Sequence, residues 1–422
     1  MKFYLIGIKG SGMAGLCHIL LDDGYEVTGL DVDNYIFTQD NLIKRGVKIH
    51  SLNDTSFKDN YFVIVGHAFK DDFLLKQLNK DNIPYLEYHK FLSFYFNKNK
   101  LISICGSHGK TTMVGLLSCF DNVSFLRGDG YGKKVNDEKY IFLESCEYQD
   151  HFLAYSPKFT IITNIDYDHV DYFLHEEDYI NSFKKFAKKV HYGLINYNDS
   201  FKINNPYFFT YGLDDRADFY AEDYIFDENG IKGKIYFQTE FIAEFNYHHL
   251  FGLPLIEDIV GVVSFYYLMH EDVNKVLNNI NKFIMAKNRF NITNKKQYIL
   301  IEDYAHHPHQ LKVNLDNINV MYKDYVHIGI FKPDRISRFI KFKEDFKDVL
   351  NQYDLSFILD FNDKKYVEEL KSIINNKIIY LHDLKKIQNY LSEDKKYVFS
   401  LMSSKNLDDI KRIIEKYFLK LN

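Results

Sequence analysis

A strand, a glycine-containing loop and a helix follow one another near residue 100, and this order constrains the fold more than any other feature. Residues 101–105 (LISIC) are predicted to form a buried strand. After them come apolar side chains at helical spacing, including Met113, Leu116 and Leu117. The seven residues between, 106–112, read GSHGKTT. A strand that passes through such a loop into a helix is typical of α/β proteins with a parallel sheet.

The loop has the chemistry of a nucleoside triphosphate site. Its two glycines let the backbone approach a phosphate, while Lys110 supplies a positive charge and Thr111 a hydroxyl group for a metal ion. Only two residues separate Gly106 from Gly109, so the motif is shorter than GxxxxGK[ST]. Taken alone, it is equally compatible with an ordinary strand-to-helix turn. The flanking strand and helix, together with an acid at the end of a later strand, Glu144, favour the triphosphate site.

The composition and net charge limit the classes of binding partner to be expected. The chain has 422 residues, enough for two or three domains, and its net charge of −5 gives no reason to expect nucleic acid or an anionic membrane as a partner. No signal peptide and no apolar run of membrane-spanning length is visible, so we expect a cytoplasmic protein. We expect a monomer or a homodimer. The cysteines have no paired spacing, which favours reduced core thiols at Cys17, Cys105, Cys119 and Cys146.

The first residues predict a second nucleotide-binding unit. A strand over residues 3–8 runs into a glycine-rich turn, 7–15 (GIKGSGMAG), followed by a helix to about residue 23. A second strand over 26–30 ends at Asp31. By spacing alone the obvious ligand is NAD, with the diphosphate on the helix N-terminus and the carboxylate on a ribose. A tight turn with no ligand is the alternative.

Two further strands end in metal-ligating side chains. Residues 140–143 lead into Glu144, and residues 159–164 lead into a polar stretch that ends at His169. The carboxyl ends of parallel strands share one edge of a sheet, where α/β proteins bind ligands. Thr111, Glu144 and His169 are therefore predicted to hold Mg²⁺. A lone glutamate at a strand end is more often a helix cap or an ion-pair partner, which is the alternative for Glu144.

The rest of the chain divides into a β-rich segment and a third block. Short alternating strands are predicted over 198–245, followed by two helices. The third block begins near residue 297 and has polar strand-to-loop junctions at 302–309 and 332–338. The predicted domains are residues 1–97, 98–293 and 294–422.

Four motifs resemble those of the Mur ligases, and the resemblance covers essentially the whole chain. They are residues 7–13 (GIKGSGM), 106–112 (GSHGKTT), 163–173 (TNIDYDHVDYF) and 303–308 (DYAHHP). Within the family, the chain looks most like the members that join L-alanine to UDP-N-acetylmuramate. The resemblance implies a Rossmann-like N-terminal domain, a central P-loop ATPase domain and a C-terminal Rossmann-like domain.

The resemblance replaces NAD by a UDP-sugar in the first domain. The residues implied to bind UDP-N-acetylmuramate are Gly10, Ser11, Gly12, Met13, Asp31 and His50. ATP is implied to contact Gly106, Ser107, His108, Gly109, Lys110, Thr111, Thr112 and Arg289. L-Alanine is implied to contact Asp303, His306, His307, Arg335 and Arg338, although loop packing is the alternative for the two adjacent histidines.

The implied reaction activates a carboxylate, because a free carboxylate is a poor acyl donor. Attack on the γ-phosphate of ATP gives an acyl phosphate, which the amine of L-alanine displaces. Lys110, Glu144 and His169 are the implied catalytic residues, with ATP and Mg²⁺ as cofactors.

Three departures leave alternatives open. Family members usually carry GxHNxxN at the adenine, whereas residues 252–258 read GLPLIED, with Asp258 in place of the second asparagine. An ionised Asp258 can only accept hydrogen bonds, so weak selection of the base is expected. Residues 403–406 read SSKN where GAGD is usual, and Asp334 stands where a histidine is common. The alternatives are a ligase that recycles a tripeptide and a diverged, non-catalytic binding protein.

Overall fold

The computed structural model describes residues 1–52, 54, 61–69, 73–359 and 364–419, and it contains three β-sheets. Each sheet is built from one consecutive part of the chain and is flanked by helices. The predicted α/β class is confirmed. No helix in these ranges is long and apolar enough to cross a membrane.

The first sheet has five parallel strands in the order β3-β2-β1-β4-β5. The central strand β1 is apolar, and Leu5 and Ile6 are fully buried, because helices cover both faces. Its elements are β1 Lys2–Ile6, α1 Ser11–Asp22, β2 Glu26–Asp31, α2 Gln39–Lys44, β3 Lys48–Ser51, β4 Tyr61–Val65, α3 Phe73–Lys80, β5 Tyr85–Glu87 and α4 Tyr88–Tyr95.

The second sheet has ten strands in the order β15-β14-β13-β12-β11-β10-β6-β9-β7-β8. Its elements are β6 Leu101–Cys105, α5 Lys110–Leu117, β7 Val123–Leu126, β8 Gly132–Lys133, β9 Tyr140–Glu144, β10 Phe159–Ile162, α6 Glu176–Ala187, β11 Tyr192–Asn196, α7 Ser200–Ile203, β12 Phe208–Gly212, β13 Phe219–Asp227, β14 Gly230–Phe237, β15 Glu240–Tyr247, α8 Leu253–Leu268 and α9 Val273–Ile280. Strand β6 lies between β9 and β10 and is parallel to both, so the loops after these three strands meet at one edge. The antiparallel strands β13 to β15 form most of the predicted β-rich segment, but residues 197–203 are helical, so the prediction of strands is wrong at its start.

The third sheet has six strands in the order β16-β17-β21-β18-β19-β20, and only β16 is antiparallel to its neighbour. Its elements are β16 Asn291–Asn294, β17 Tyr298–Asp303, α10 Pro308–Met321, β18 Val326–Phe331, α11 Ile336–Lys341, α12 Lys343–Leu350, β19 Leu355–Leu359, α13 Lys364–Lys371, β20 Ile378–Leu381, β21 Tyr397–Met402 and α14 Asp408–Leu419. Strand β16 crosses the predicted boundary at 293/294, which stays a prediction. Short 3₁₀ helices cover His67–Phe69, Tyr148–Ala154, Tyr197–Asp199 and Leu384–Tyr390.

The first two sheets share one hydrophobic core. Each sheet with its own helices is called a unit below, numbered as its sheet. Leu5 and Leu16 of the first unit belong to the same buried cluster as Leu101 and Leu143 of the second unit. All four cysteines are free thiols, as expected. Cys146, however, is exposed, so the expectation of a core position is wrong for this residue.

Helix α1 approaches the second sheet closely through two glycines. A Cβ atom on Gly132 in β8 would overlap with the backbone carbonyl of Gly15 in α1. Because the obstacle is backbone and not a side chain that can rotate, the helix would have to move. Glycine at this position therefore sets the distance between the first two units.

We predict that Gly132→Ala lowers the free energy of unfolding by about 1–3 kcal/mol, the usual cost of overpacking. Gly212→Ala is the matched control, because a Cβ atom there would meet its nearest neighbour, Tyr197 Cβ, at an ordinary 3.8 Å. Urea denaturation followed by circular dichroism compares the two. Equal stability of the two variants would contradict this account of the interface.

Candidate active site

The loop between β6 and α5 is shaped by its two glycines. Gly106 has a φ of +137° and Gly109 a φ of +80°, which side chains disfavour. A Cβ atom on Gly106 would also overlap with the hydroxyl group of Thr163. Helix α5 starts at Lys110, directly after Gly109, so its unpaired N–H groups face the end of the sheet. This is the geometry of an anion site at a helix N-terminus.

Residues after β10 hold the loop from the other side. Asn164 bonds the backbone of His108 twice: its Oδ1 accepts from the N–H at 2.9 Å and its Nδ2 donates to the carbonyl at 3.0 Å. The Thr163 hydroxyl donates to the same carbonyl at 2.6 Å. The Ser107 hydroxyl donates to the Asp166 carbonyl at 2.6 Å. The loop is therefore held in place by residues of the motif at 163–173.

Lys110, Glu147 and His169 form one group at this edge. Lys110 Nζ lies 2.9 Å from Glu147 Oε2, and His169 Nε2 lies 3.3 Å from Glu147 Oε1. Burial favours the neutral forms, but the charge of Lys110 outweighs it and lowers the pKa of Glu147. Burial likewise lowers the pKa of Lys110, and Glu147 more than offsets this, raising it to about 12. Both groups are charged at neutral pH.

Two of the three predicted metal ligands contact each other, and the third, His169, contacts a different acid. The Thr111 hydroxyl donates to Glu144 Oε1 at 3.1 Å, while His169 faces Glu147. The other oxygen of Glu144 accepts the backbone N–H of Gly128, and burial raises its pKa. Glu147, which the sequence analysis did not select, is the acid beside Lys110. In the sequence, Glu147 is a second acid three residues after Glu144, but nothing there gave a reason to prefer it to Glu144.

The donors present fit a divalent cation. Glu147 Oε1 and His169 Nδ1 are buried and have no hydrogen bond of acceptable geometry within the described ranges. Buried polar atoms are normally hydrogen-bonded, whereas Glu147 Oε1 has only the contact with His169 Nε2 at 3.3 Å within the described ranges. A carboxylate oxygen of this kind beside a phosphate loop suits a hard cation such as Mg²⁺. Glu147 and His169, with Thr111 and Glu144 beside them, are the residues that would hold it.

A cavity of about 540 Å³ adjoins the phosphate loop, between the second and third units. Gly109 and Arg289 are among the residues in its wall. The Arg289 guanidinium lies 4.6 Å from the ring centre of Tyr304, so stacking orients its positive charge. Asp303 also lines the cavity; Asn314 Nδ2 donates to it at 2.9 Å, and burial raises its pKa. The structure thus brings Arg289 and Asp303 to one cavity with the loop.

The glycine turn of the first unit lies against Asp31. This residue is only 4% exposed, and its carboxylate accepts the N–H groups of Lys9 and Val32, both at 2.7 Å. The predicted residues Gly10, Ser11, Gly12 and Met13 form the N-cap and first turn of α1. Asp31 therefore shapes the turn directly, and its contact with a ligand stays a prediction.

His50 lies on the neighbouring strand β3, opposite Leu30 of β2. Its Nδ1 is 2.7 Å from Asp54 Oδ2. Of the six predicted UDP-sugar residues, four therefore lie at the start of α1, Asp31 ends β2 and His50 lies on β3.

The two adjacent histidines follow β17 and begin α10. His307 is the N-cap of α10, and its Nδ1 accepts the backbone N–H of His309 at 3.4 Å. His306 Nδ1 lies 2.8 Å from the carbonyl oxygen of Tyr304, to which it donates. Burial lowers the pKa of His307 to about 4 and also lowers that of His306, so both are neutral at neutral pH. Helix capping by His307 and the hydrogen bond from His306 within the loop account for the orientations of the two rings.

The two predicted arginines, Arg335 and Arg338, differ in how deeply their side chains are buried. Arg338 is buried, and it donates to both carboxylate oxygens of Asp168, at 2.9 and 3.1 Å, and to Asp334 at 2.8 and 2.9 Å. Arg335 is 41% exposed in its side chain and lies 3.4 Å from Asp171. Arg338 therefore joins the third unit to the second, while Arg335 is the more exposed of the two.

Comparison with known proteins identifies the family. A family model described as Mur ligase family, catalytic domain, matches residues 2–99, and one described as Mur ligase middle domain matches residues 131–252. A UDP-N-acetylmuramate–L-alanine ligase of Lacticaseibacillus paracasei is 35% identical over 366 residues, covering 84% of each chain. The chain belongs to the Mur ligase family. A relative of the same name from Streptococcus gordonii is 34% identical, over 84% of this chain and 82% of its own.

Solved Mur ligase structures have the same three-domain fold. The UDP-N-acetylmuramate–alanine ligase of Thermotoga maritima superposes with a TM-score of 0.82 at 19% identity, covering 100% of both chains. A murein peptide ligase of Psychrobacter arcticus gives a TM-score of 0.69 at 17% identity, covering 99% of this chain and 98% of its own. These likenesses confirm the predicted fold.

This Mur ligase has two neighbouring acids, Glu257 and Asp258, in the wall of the cavity, and Asp258 stands where the family motif has its second asparagine. Burial raises the pKa of Glu257 to about 7 and that of Asp258 well above its ordinary value. A neutral carboxyl group donates as well as accepts, as an amide does. The sequence-based expectation applies to an ionised Asp258, whereas burial raises the pKa of this carboxyl group and so favours the protonated form, which can donate. Weak selection of the base stays a prediction.

The raised pKa of Glu257 predicts how stability depends on pH. Between its ordinary value of 4.5 and about 7, the folded protein keeps a proton that the unfolded chain has lost. Raising the pH through this window therefore lowers the free energy of unfolding. Because glutamine does not ionise, the free energy of unfolding of Glu257→Gln should depend less on pH across this window. Urea denaturation across the window measures it, with exposed Glu240→Gln as the control. A wild-type slope in Glu257→Gln would contradict the assignment.

Proposed function

We propose that this Mur ligase joins L-alanine to UDP-N-acetylmuramate and converts ATP to ADP and inorganic phosphate. One observation carries the proposal. A chain that is 35% identical to a UDP-N-acetylmuramate–L-alanine ligase over 84% of its length holds Lys110, Glu147 and His169 together at a phosphate loop. This activity would serve the synthesis of peptidoglycan precursors.

The reaction has two steps. A carboxylate oxygen of UDP-N-acetylmuramate attacks the γ-phosphorus of ATP, the bond to the β-phosphate oxygen breaks, and ADP leaves. The amine of L-alanine then attacks the acyl carbon, releases inorganic phosphate and loses a proton as the amide forms. Both steps build negative charge on a phosphoryl group, so a site for them needs fixed positive charges and N–H groups.

The phosphate loop supplies those groups. Lys110 keeps its positive charge at neutral pH, and the N–H groups at the start of α5 face the same edge. Mg²⁺, held by Glu147 and His169, would offset the charge of the transferred phosphoryl group. In this assignment Glu144 supports Thr111 and the loop at Gly128, and is not the principal metal ligand.

The two substrates are assigned to the outer units. UDP-N-acetylmuramate would bind at the glycine turn of α1 and Asp31, with His50 at the same sheet. L-Alanine would bind in the third unit near Asp303, His306 and His307, with Arg335 the more available partner for its carboxylate. We also propose a cytoplasmic location and domains close to residues 1–97, 98–293 and 294–422, with the second boundary moved to before β16.

One assay tests the proposal and separates it from both alternatives. Phosphate release from ATP is measured with UDP-N-acetylmuramate, screened across the amino acids and the tripeptide, and the product is identified by mass spectrometry. Turnover with L-alanine is expected. Turnover with the tripeptide alone would identify a recycling ligase, and binding without turnover a non-catalytic protein. Lys110→Ala is the negative control, with kcat lower by about 10²–10³.

The two glutamates give a matched pair of variants. We predict that Glu147→Gln lowers kcat by about 10²-fold or more and raises the Mg²⁺ concentration needed for half-maximal activity, because it removes a metal-ligand charge. Glu144→Gln should cost about tenfold, within the range for a group that supports a ligand. Titration of Mg²⁺ in the phosphate-release assay measures both. A larger loss in Glu144→Gln would return the ligand role to Glu144.

A further inference from the structure

The side chain of Gln310 connects the third unit to the phosphate loop. Gln310 lies in the first turn of α10, and its Oε1 accepts the backbone N–H groups of His306 at 2.9 Å and His307 at 3.2 Å. Its Nε2 lies 3.1 Å from Nδ1 of His108, which belongs to the loop between β6 and α5. Gln310 thus contacts the end of the predicted amino-acid site and the predicted phosphate site.

These contacts determine which nitrogen of His108 carries a proton. Exchanging the oxygen and nitrogen of the Gln310 amide would direct its N–H₂ at two backbone N–H groups, so the oxygen must face them. The N–H₂ group can only donate, and therefore Nδ1 of His108 must accept. In the neutral ring the proton is then on Nε2, which donates to Asp166 Oδ2 at 3.1 Å.

Asp166 is itself tied to the loop. Its backbone N–H donates to the Ser107 hydroxyl at 2.8 Å. Burial opposes ionisation, but the hydrogen bond from His108 and nearby His307 and His309 lower its pKa below the ordinary value. The carboxylate is therefore an acceptor at neutral pH, as the Nε2 proton of His108 requires.

A cation site is the other reading of this cluster. Ligand atoms of His108, Asp166 and His309 lie within 4.8 Å of one another. A metal ion on Nε2 of His108 needs that nitrogen without its proton. The donor from Gln310 holds the proton there, so the geometry is that of a hydrogen-bonded chain and does not favour a metal.

We propose that Gln310 is a positioning residue. When the third unit docks, Gln310 selects the Nε2-protonated tautomer of His108 and the orientation of its ring. The His108 ring in this state holds the phosphate loop in place. The role in turnover rests on the proposed function. Preorganised donors around a transferring phosphoryl group act without reorganising during the reaction. The third unit, where the amino acid is expected, thereby influences the phosphate site through one side chain.

Two substitutions separate this role from helix capping. Gln310→Glu keeps an oxygen for the two backbone N–H groups, as in an ordinary capping box, but it has no donor for His108. Gln310→Met removes both functions at similar length. The control is Gln352→Met in the same unit, where the side chain is exposed and donates to the Asp348 carbonyl.

The first measurement is the ¹⁵N spectrum of the protein labelled at histidine, without substrates, with His108→Gln used to assign the signals. The wild-type protein should show an unprotonated Nδ1 and a protonated Nε2. In Gln310→Glu, Nδ1 should gain a proton, because its neighbour can then only accept. A protonated Nδ1 in the wild type, or the same His108 signals in wild type and Gln310→Glu, would overturn the proposal.

The second experiment measures kcat for phosphate release and the melting temperature of the wild type and of each variant. Losing one neutral hydrogen bond predicts a fall in kcat of about 2- to 10-fold in both Gln310 variants. Only Gln310→Met should also melt at a lower temperature. If Gln310→Glu keeps the wild-type kcat, the side chain acts as a cap alone and the proposal fails. The spectrum needs no substrate, so it decides the tautomer even if the wild type does not ligate L-alanine.

Discussion

The site depends on the conformation of the loop between β6 and α5. The left-handed backbone at Gly106 and Gly109 turns the chain sharply, so that α5 begins directly at Lys110. Parallel pairing places β6 between β9 and β10, and the loops after all three strands therefore meet at one edge. That edge brings Glu147 to Lys110 across 37 residues of sequence and lets Asn164 hold the loop. The proposed phosphate and cation sites therefore depend on the same arrangement of strands.

The third unit docks at this edge through a buried ion pair. Arg338 and Asp168 are both almost fully buried, and burial would raise the pKa of Asp168, but Arg338 holds it well below its ordinary value. Removing two charges from water costs about as much as their attraction returns, so such a pair specifies geometry more than it adds stability. The contact between Gln310 and His108 lies at the same junction. Docking and phosphate positioning are therefore physically linked.

Residues 252–258, where the chain departs from the family's motif, show how burial changes the chemistry that a motif predicts. Asp258 stands in place of an amide, and an ionised Asp258 could only accept hydrogen bonds. In the fold it is buried beside Glu257, and burial keeps both carboxyl groups protonated to higher pH. The protonated form donates and accepts, as the amide would. Charge state in a cavity depends on the surroundings, which the sequence does not show.

The sequence by itself determined the α/β class, the strand–loop–helix units and the family, because these depend on local order: apolar runs, glycines at turns and long motifs. It also predicted Lys110, Thr111, Glu144 and His169 as site residues, and the structure brings the four to one edge of the second sheet. Only the tertiary structure decided that Glu147 faces Lys110, that Arg338 pairs with Asp168, and that Gln310 reaches His108. The last two contacts join residues 170 and 202 positions apart. Such contacts depend on how separate loops meet at a sheet edge and on which way each side chain leaves its backbone, and neither is encoded by neighbouring residues alone.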